Sequence, residues 1–295
     1  MSDAPALAAG LTTVVLWGSA FVAIRAAGET LSPGAIALGR LLVSSLVLGL
    51  VALARRERLP ARGDLLRIAV YGVLWLGVYS IALSAAERRV DAGTAAMIVN
   101  TGPILIAVLA GFFLHEGFPR GLFAGCAVAF GGCLLIGLAT VDSDRSAGFA
   151  LVLLTIAALA YASSVVVQKT ALLRASPFAV TWLGCAAATV ACLPFAPQLV
   201  RGLAGSGGSA AAWTVYLGLG PTALGFAMWS FALGRESAGR TASLNYLIPV
   251  VALVLGWAVL AERPAWLAVG GGTLCLAGVA VARHRPGARI TPWSR

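Results

Sequence analysis

Residues 89–116 read RVDAGTAAMIVNTGPILIAVLAGFFLHE, and residues 235–262 read RESAGRTASLNYLIPVVALVLGWAVLAE. Set 146 positions apart, the stretches pair Arg89 with Arg235, Ala92-Gly93 with Ala238-Gly239, Pro103 with Pro249 and Glu116 with Glu262. The register continues through Gly125 with Gly271 and Gly132 with Gly278. Upstream it slips by two, as one small insertion would cause. At 144 positions Trp17-Gly18-Ser19 meets Tyr161-Ala162-Ser163, Arg25 meets Lys169, and Ser32-Pro33 meets Ser176-Pro177. Chance matches of Ala and Gly are common in such a composition. A shared frame for two mid-helix prolines and two helix-ending glutamates is not. The chain therefore reads as a tandem repeat, with halves expected at 1–144 and 145–295 that form one unit.

Of 295 residues, 60% are hydrophobic and 11% are charged, against about 25% charged in soluble domains. A soluble fold of this size cannot hide so much apolar surface, so the bilayer is its natural solvent. A spanning helix needs roughly 20 apolar residues. Runs fit at 8–25, 33–54, 66–86, 92–114, 120–140, 147–170, 177–198, 211–233, 239–261 and 264–282. Ser32-Pro33 and Ser176-Pro177 start helices, and Pro119 and Pro264 follow tight turns. Gly202–Ser209 reads as a Gly/Ser-rich loop and Asp142–Ser146 as a polar linker. The expected fold is all-α: a polytopic membrane protein of ten transmembrane helices. Five per half is odd, so the halves enter the membrane in opposite senses. Inverted repeats of this kind are typical of transporters, with a site at the repeat interface near the midplane.

The net charge of +10 lies between apolar runs, where membrane loops carry it, and not in a cluster of the kind nucleic acid requires. With both termini cytoplasmic, Arg55, Arg56, Arg58, Arg62, Arg67, Arg120, Lys169, Arg174, Arg235, Arg240, Arg283, Arg285, Arg289 and Arg295 fall on the cytoplasmic side. The outer side holds Arg25, Arg88, Arg89, Arg145, Arg201 and Arg263. This bias predicts a multi-pass protein of a bacterial-type inner (plasma) membrane, its basic face on anionic lipid. The first apolar run lacks a preceding Lys or Arg and a cleavage-like site, so it reads as a permanent helix. The five cysteines lie inside apolar runs without a C-x-x-C or a nearby His, so they read as buried thiols, and no metal or cofactor is expected. No H-E-x-x-H, G-x-S-x-G or paired intramembrane Asp is present, which leaves no catalytic constellation.

Arg40-Leu41-Leu42, the run Glu116…Gly125…Gly132 and its echo Glu262…Gly271…Gly278 resemble the drug/metabolite transporter superfamily. The resemblance is to its ten-helix, paired-repeat (EamA-type) branch and covers nearly the whole chain. It looks closest to the aromatic and neutral amino-acid exporters of bacteria. That implies a small-molecule substrate, export as the direction, and no enzymatic activity. One departure stands out: Gly184 occupies the position that Arg40 holds in the first half.

Every carboxylate falls in a loop or at a helix end, and neither His115 nor His284 lies mid-membrane. Proton-coupled carriers usually place such groups in the pathway, so coupling without a titrating side chain is expected. Arg40 is the one intramembrane charge. It either anchors a substrate carboxylate or has a structural role, satisfying backbone carbonyls of neighbouring helices or snorkelling outward, the structural reading being preferred from sequence. The candidate substrate-binding residues are Trp17, Ser19, Tyr79, Asn100, Tyr161, Ser163, Trp229, Asn245 and Tyr246. Trp17 and Tyr161 rank first because the repeat places both beside the central site. Tyr71, Trp75 and Tyr79 make a stripe on one helix. Pro103 and Pro249 are candidate hinges, since each removes a backbone donor and frees a carbonyl. The leading expectation is a broad-specificity amino-acid exporter working by alternating access. Export of drugs or other metabolites, and a non-transporting scaffold, stay open. The sequence fixes no oligomeric state, and a monomer suffices.

Overall fold

A computed structural model describes residues 3–86, 98–138, 148–205, 208–260 and 266–284. Helix and turn account for all the regular structure among them, with no strand. In chain order the helical segments are α1 (Ala4–Gly28), α2 (Pro33–Ala54), α3 (Arg62–Tyr71, continued by a π-helical stretch Gly72–Tyr79 and by Ser80–Ala86), α4 (Gly102–Phe113) and α5 (Arg120–Leu138). They continue with α6 (Gly148–Leu172), α7 (Pro177–Cys192, then Leu193–Phe195 and Ala196–Ala204), α8 (Ser209–Leu217, a π-helical stretch Gly218–Leu224, then Gly225–Arg235), α9 (Ala238–Ser243, Leu244–Leu247, Ile248–Leu260) and α10 (Trp266–Arg283). Seven described helices are long and apolar enough to cross a membrane, and three further apolar ones, Ala4–Ala20, Gly102–Phe113 and Arg120–Ile136, are shorter.

The helix starts follow local chemistry. Asp3, Ser32, Ser176 and Ser237 cap α1, α2, α7 and α9, each side chain accepting from a backbone N–H three residues on. Proline occupies the first turn of α1, α2 and α7, where its missing N–H costs nothing. His115 (φ 55°) and Gly117 (φ 73°) form the tight turn ahead of Pro119. The expected loop at Gly202–Ser209 begins later than its composition suggests. Pro194 and Pro197 break α7 into a 3-10 turn, and the short helix restarted there runs on to Ala204 with Leu199 buried. The expected linker Asp142–Ser146, the boundary between residues 144 and 145, Arg88, Arg89, Glu262, Pro264 and the basic tail beyond His284 lie outside the described residues.

Helix contacts follow one exchange rule. α1 packs on α8 and α9 just as α6 packs on α3 and α4, and α2 packs on α8 as α7 packs on α3. α2 also packs on α7, and α5 lies along α10. Moving five helices along the chain therefore maps these contacts onto one another. The α5–α10 seam is closed by glycines. A Cβ on Gly125 would stand 2.2 Å from the Ala282 nitrogen, and one on Gly278 would stand 2.3 Å from the Ala129 nitrogen. A Cβ on Gly132 would stand 2.5 Å from the Gly271 oxygen. Small residues let backbones approach this closely, which is how helices associate where the solvent is itself apolar.

Candidate functional site

Where α1, α3, α6 and α8 meet, the centre of the bundle is aromatic. The Trp75 ring stands 5.7 Å from Trp17, 5.0 Å from Tyr161, 5.0 Å from Phe226 and 5.4 Å from Trp229. Trp17 in turn lies 4.9 Å from Phe226 and 5.4 Å from Trp229, and Tyr79 lies 5.7 Å from Tyr161. These separations are those of edge-to-face and offset ring pairs. Trp17 and Tyr161, equivalent in the two halves, both pack on Trp75.

Trp75 and Pro221 sit in the two π-helical stretches, Gly72–Tyr79 and Gly218–Leu224, which coincide at the 146-residue offset. Such stretches occur often at functional sites because they widen the helix and release backbone groups. In α8, Pro221 has no N–H to offer the Leu217 carbonyl, and the Thr222 hydroxyl donates there instead at 2.7 Å. The Pro221 carbonyl accepts the Trp17 indole N–H at 3.0 Å, and the Gly225 carbonyl accepts the Thr13 hydroxyl at 3.1 Å. Gly225 makes room for this contact, since a Cβ there would lie 3.0 Å from Trp17 Nε1.

Polar groups surround the rings. The Asn245 amide donates to the Tyr161 hydroxyl, while Asn245 Oδ1 is buried with no hydrogen-bond partner. The Trp229 indole donates to Gln168 Oε1 at 3.0 Å, and Gln168 Nε2 donates to Ser230 Oγ at 2.9 Å. Ser230 also pairs with Thr181 at 2.8 Å. Gln168 is absent from the sequence-derived candidates, although its spacing from Tyr161 and Ser164 places all three on one helical face.

Of the candidates, Trp17, Tyr79, Tyr161, Trp229 and Asn245 are brought together. The others stand apart. Ser19 bonds the Leu16 carbonyl at 2.8 Å and the Tyr216 hydroxyl at 2.7 Å. Ser163 donates to the Leu159 carbonyl of its own helix. Tyr246 is buried among Cys126, Cys133 and Cys275 in the α5–α10 seam, its hydroxyl without a partner. Asn100 occupies the half-buried turn ahead of α4, beside Gly102, on which the Tyr161 ring packs. Pro103 and Pro249 each take the second position of a helical segment, Pro103 after the turn at Asn100–Thr101 and Pro249 after the 3-10 turn Leu244–Leu247.

Charge collects at one end of the bundle. Both Glu116 carboxylate oxygens accept the Ala238 N–H, at 2.9 and 2.8 Å, at the start of α9. Lys169 donates to the Leu233 and Glu236 carbonyls, Arg283 pairs with Glu236 at 2.8 Å, and Arg235 pairs with Asp3 at 3.2 Å. Arg55, Arg56, Arg58 and Arg174 line a cavity of about 380 Å³, where Ser176 donates to Glu57. A second concavity, about 450 Å³, is apolar and lies between α9 and α10, away from the rings. No group of three His, Cys, Asp or Glu that could hold a metal occurs among the described residues. The Cys133 and Cys275 sulfurs are 3.5 Å apart, and both thiols are free.

An all-helical membrane protein of two repeats that share an aromatic centre is the class these features define. Residues 4–138 and 148–283 each match the EamA-like transporter family, and the chain belongs to that family, within the drug/metabolite transporter superfamily. It is 37% identical over 273 residues to a probable terminal-alkyne amino-acid exporter of Streptantibioticus cattleyicolor, covering 92% of this chain and 91% of that one. It is 27% identical to a probable amino-acid metabolite efflux pump of Salmonella typhimurium, with 91% of each chain covered. A solved crystal structure superposes with a TM-score of 0.80 over 96% of this chain and 97% of that one, at 19% identity, which shows the shared fold.

Proposed function

We propose that the protein is an exporter of amino acids with broad specificity that includes aromatic and neutral ones. The observation that carries this is the uncharged ring centre shared by both halves, with no carboxylate among the described residues around it. Aromatic walls accept side chains of varied shape, and the orphaned Asn245 oxygen is an acceptor for a substrate ammonium. The names of the relatives support the substrate class. The helices cross the membrane ten times, as inverted halves 1–144 and 145–295, and access alternates by rocking one half against the other. The five-helix exchange of contacts supports this arrangement. Pro103 and Pro249 act as the hinges. Both termini are cytoplasmic in an inner membrane, supported by the gathering of Asp3, Lys169, Arg235 and Arg283 at one basic end, which rests on anionic lipid.

Exchange of radiolabelled amino acids through purified protein in proteoliposomes tests the proposal. Saturable flux of several amino acids, reduced in Trp17→Ala, is the expected result. Flux of drugs or other metabolites with no amino-acid flux transfers the substrate to the second reading, which the efflux-pump relative keeps in view. No flux of any solute leaves a scaffold.

A further inference from the structure

Among the described residues, Arg40 is a cation without a counter-ion. It sits within α2, on a stretch whose flanking residues Leu38, Gly39 and Leu41 are buried. Its Nε is buried with no hydrogen-bond partner, and among the described residues its guanidinium makes no hydrogen bond or ion pair. Of the roles open in the sequence, capping of neighbouring carbonyls is therefore not what the described residues display. The groups within its electrostatic reach are Cys185 and Cys192 on α7 and Tyr79 on α3, and no carboxylate is among them. An unpaired charge inside a membrane is costly and persists where it meets a partner. Among the described residues no such partner faces it, which leaves the place open to an anion from outside.

The repeat sharpens the point. In the second half the equivalent of Arg40 is Gly184, packed backbone to backbone on Gly72 and against the Tyr71 ring, 2.5 Å from where its Cβ would be. At the matching crossing, Gly218 of the second half faces the Arg40 carbonyl and Val43 of the first. One crossing is filled by an aromatic ring, and the other holds a charge. Packing alone does not call for the guanidinium, since the same architecture closes without it. From Arg40 the path to the centre is short: Tyr79 is within its reach, Tyr79 pairs with Tyr161 at 5.7 Å, and Tyr161 accepts from Asn245. Among the described residues, a donor fork without an acceptor and an acceptor oxygen without a donor are thus linked through one tyrosine pair.

We propose that Arg40 binds the carboxylate of the transported substrate, so that the site selects carboxylate-bearing molecules and leaves the side chain to the rings. This rests on the amino-acid reading above. A guanidinium suits the task because its planar fork pairs with both carboxylate oxygens.

The test is competition in proteoliposome exchange of labelled phenylalanine by unlabelled phenylalanine, by its amide and by phenethylamine. On the native protein the acid should compete at least about tenfold better than either analogue, as expected of a charge-assisted bidentate contact. Arg40→Gln should lower phenylalanine exchange at least about tenfold and erase the preference for the acid, and Arg40→Lys should restore part of both. Equal competition by acid and amide on the native protein overturns the assignment of Arg40 while leaving amino-acid transport standing, and needs no variant to fold. Retained preference in a monodisperse Arg40→Gln overturns it as well. A native protein that moves no amino acid overturns the substrate reading and this proposal with it.

Discussion

The Trp17 indole N–H meets the Pro221 carbonyl at 3.0 Å, joining a helix of the first half to the π-helical stretch of the second. The contact exists because Pro221 stands inside a helix whose hydrogen bonding is already irregular, which leaves a carbonyl facing α1. Replacing Trp17 by Phe keeps most of the ring packing and leaves that carbonyl without this donor. Trp17→Phe should lose about 1–3 kcal/mol of stability, read as a lower unfolding temperature in detergent, with reduced exchange. Unchanged stability would show that the bond holds nothing in place.

The pair Asn245–Tyr161 lends itself to a double-mutant cycle. Tyr161→Phe leaves the Asn245 amide without its acceptor, next to an oxygen that already has no partner. Asn245→Leu leaves the phenol without its donor. The two losses should be non-additive by about 0.5–3 kcal/mol in thermal unfolding. Simple additivity would mean that the two side chains act independently.

Gln168→Leu should destabilise by about 1–3 kcal/mol, since it strands the buried Trp229 N–H and removes one partner of Ser230. Retained stability would mean that the buried indole N–H tolerates losing its acceptor.

Glycines divide by what surrounds them. Gly278→Ala would drive a methyl into the Ala129 backbone, and a cost of about 1–3 kcal/mol is expected. Gly121→Ala, on the same pair of helices, meets nothing within 4 Å, and should be neutral or stabilising by up to about 1 kcal/mol. Monodispersity after detergent extraction, followed by thermal unfolding, separates the two.

The helices were largely legible because apolar length and proline positions are dictated locally by the bilayer and by capping chemistry, whereas their packing partners come from the fold. Gly125, Gly271 and Gly278 close the α5–α10 seam, whereas Gly121 and Gly270, on the same two helices, face open space. The aromatic stripe was legible too, since spacing by four keeps Tyr71, Trp75 and Tyr79 on one face. The two serines illustrate what repeat matching alone misses. Ser19 and Ser163 are two residues beyond Trp17 and Tyr161, and two helical steps of about 100° turn them well away from the rings. Tyr246, one step past Asn245, faces the seam for the same reason. The π-helical stretches leave little mark on composition, so the release of the Pro221 carbonyl toward Trp17 was out of reach. Arg40 was visible as a charge, but only the fold shows that the described residues give it no partner.

The most direct measurement is phenylalanine exchange through purified protein in proteoliposomes, with matched pH on both sides and again with a pH gradient. A carrier whose centre holds rings and amides, and no titrating carboxylate among the described residues, should exchange substrate saturably at matched pH and at the same rate with the gradient imposed. Uptake that requires the gradient would contradict that centre as the whole of the transport machinery, and would direct attention to Glu116 and Glu262.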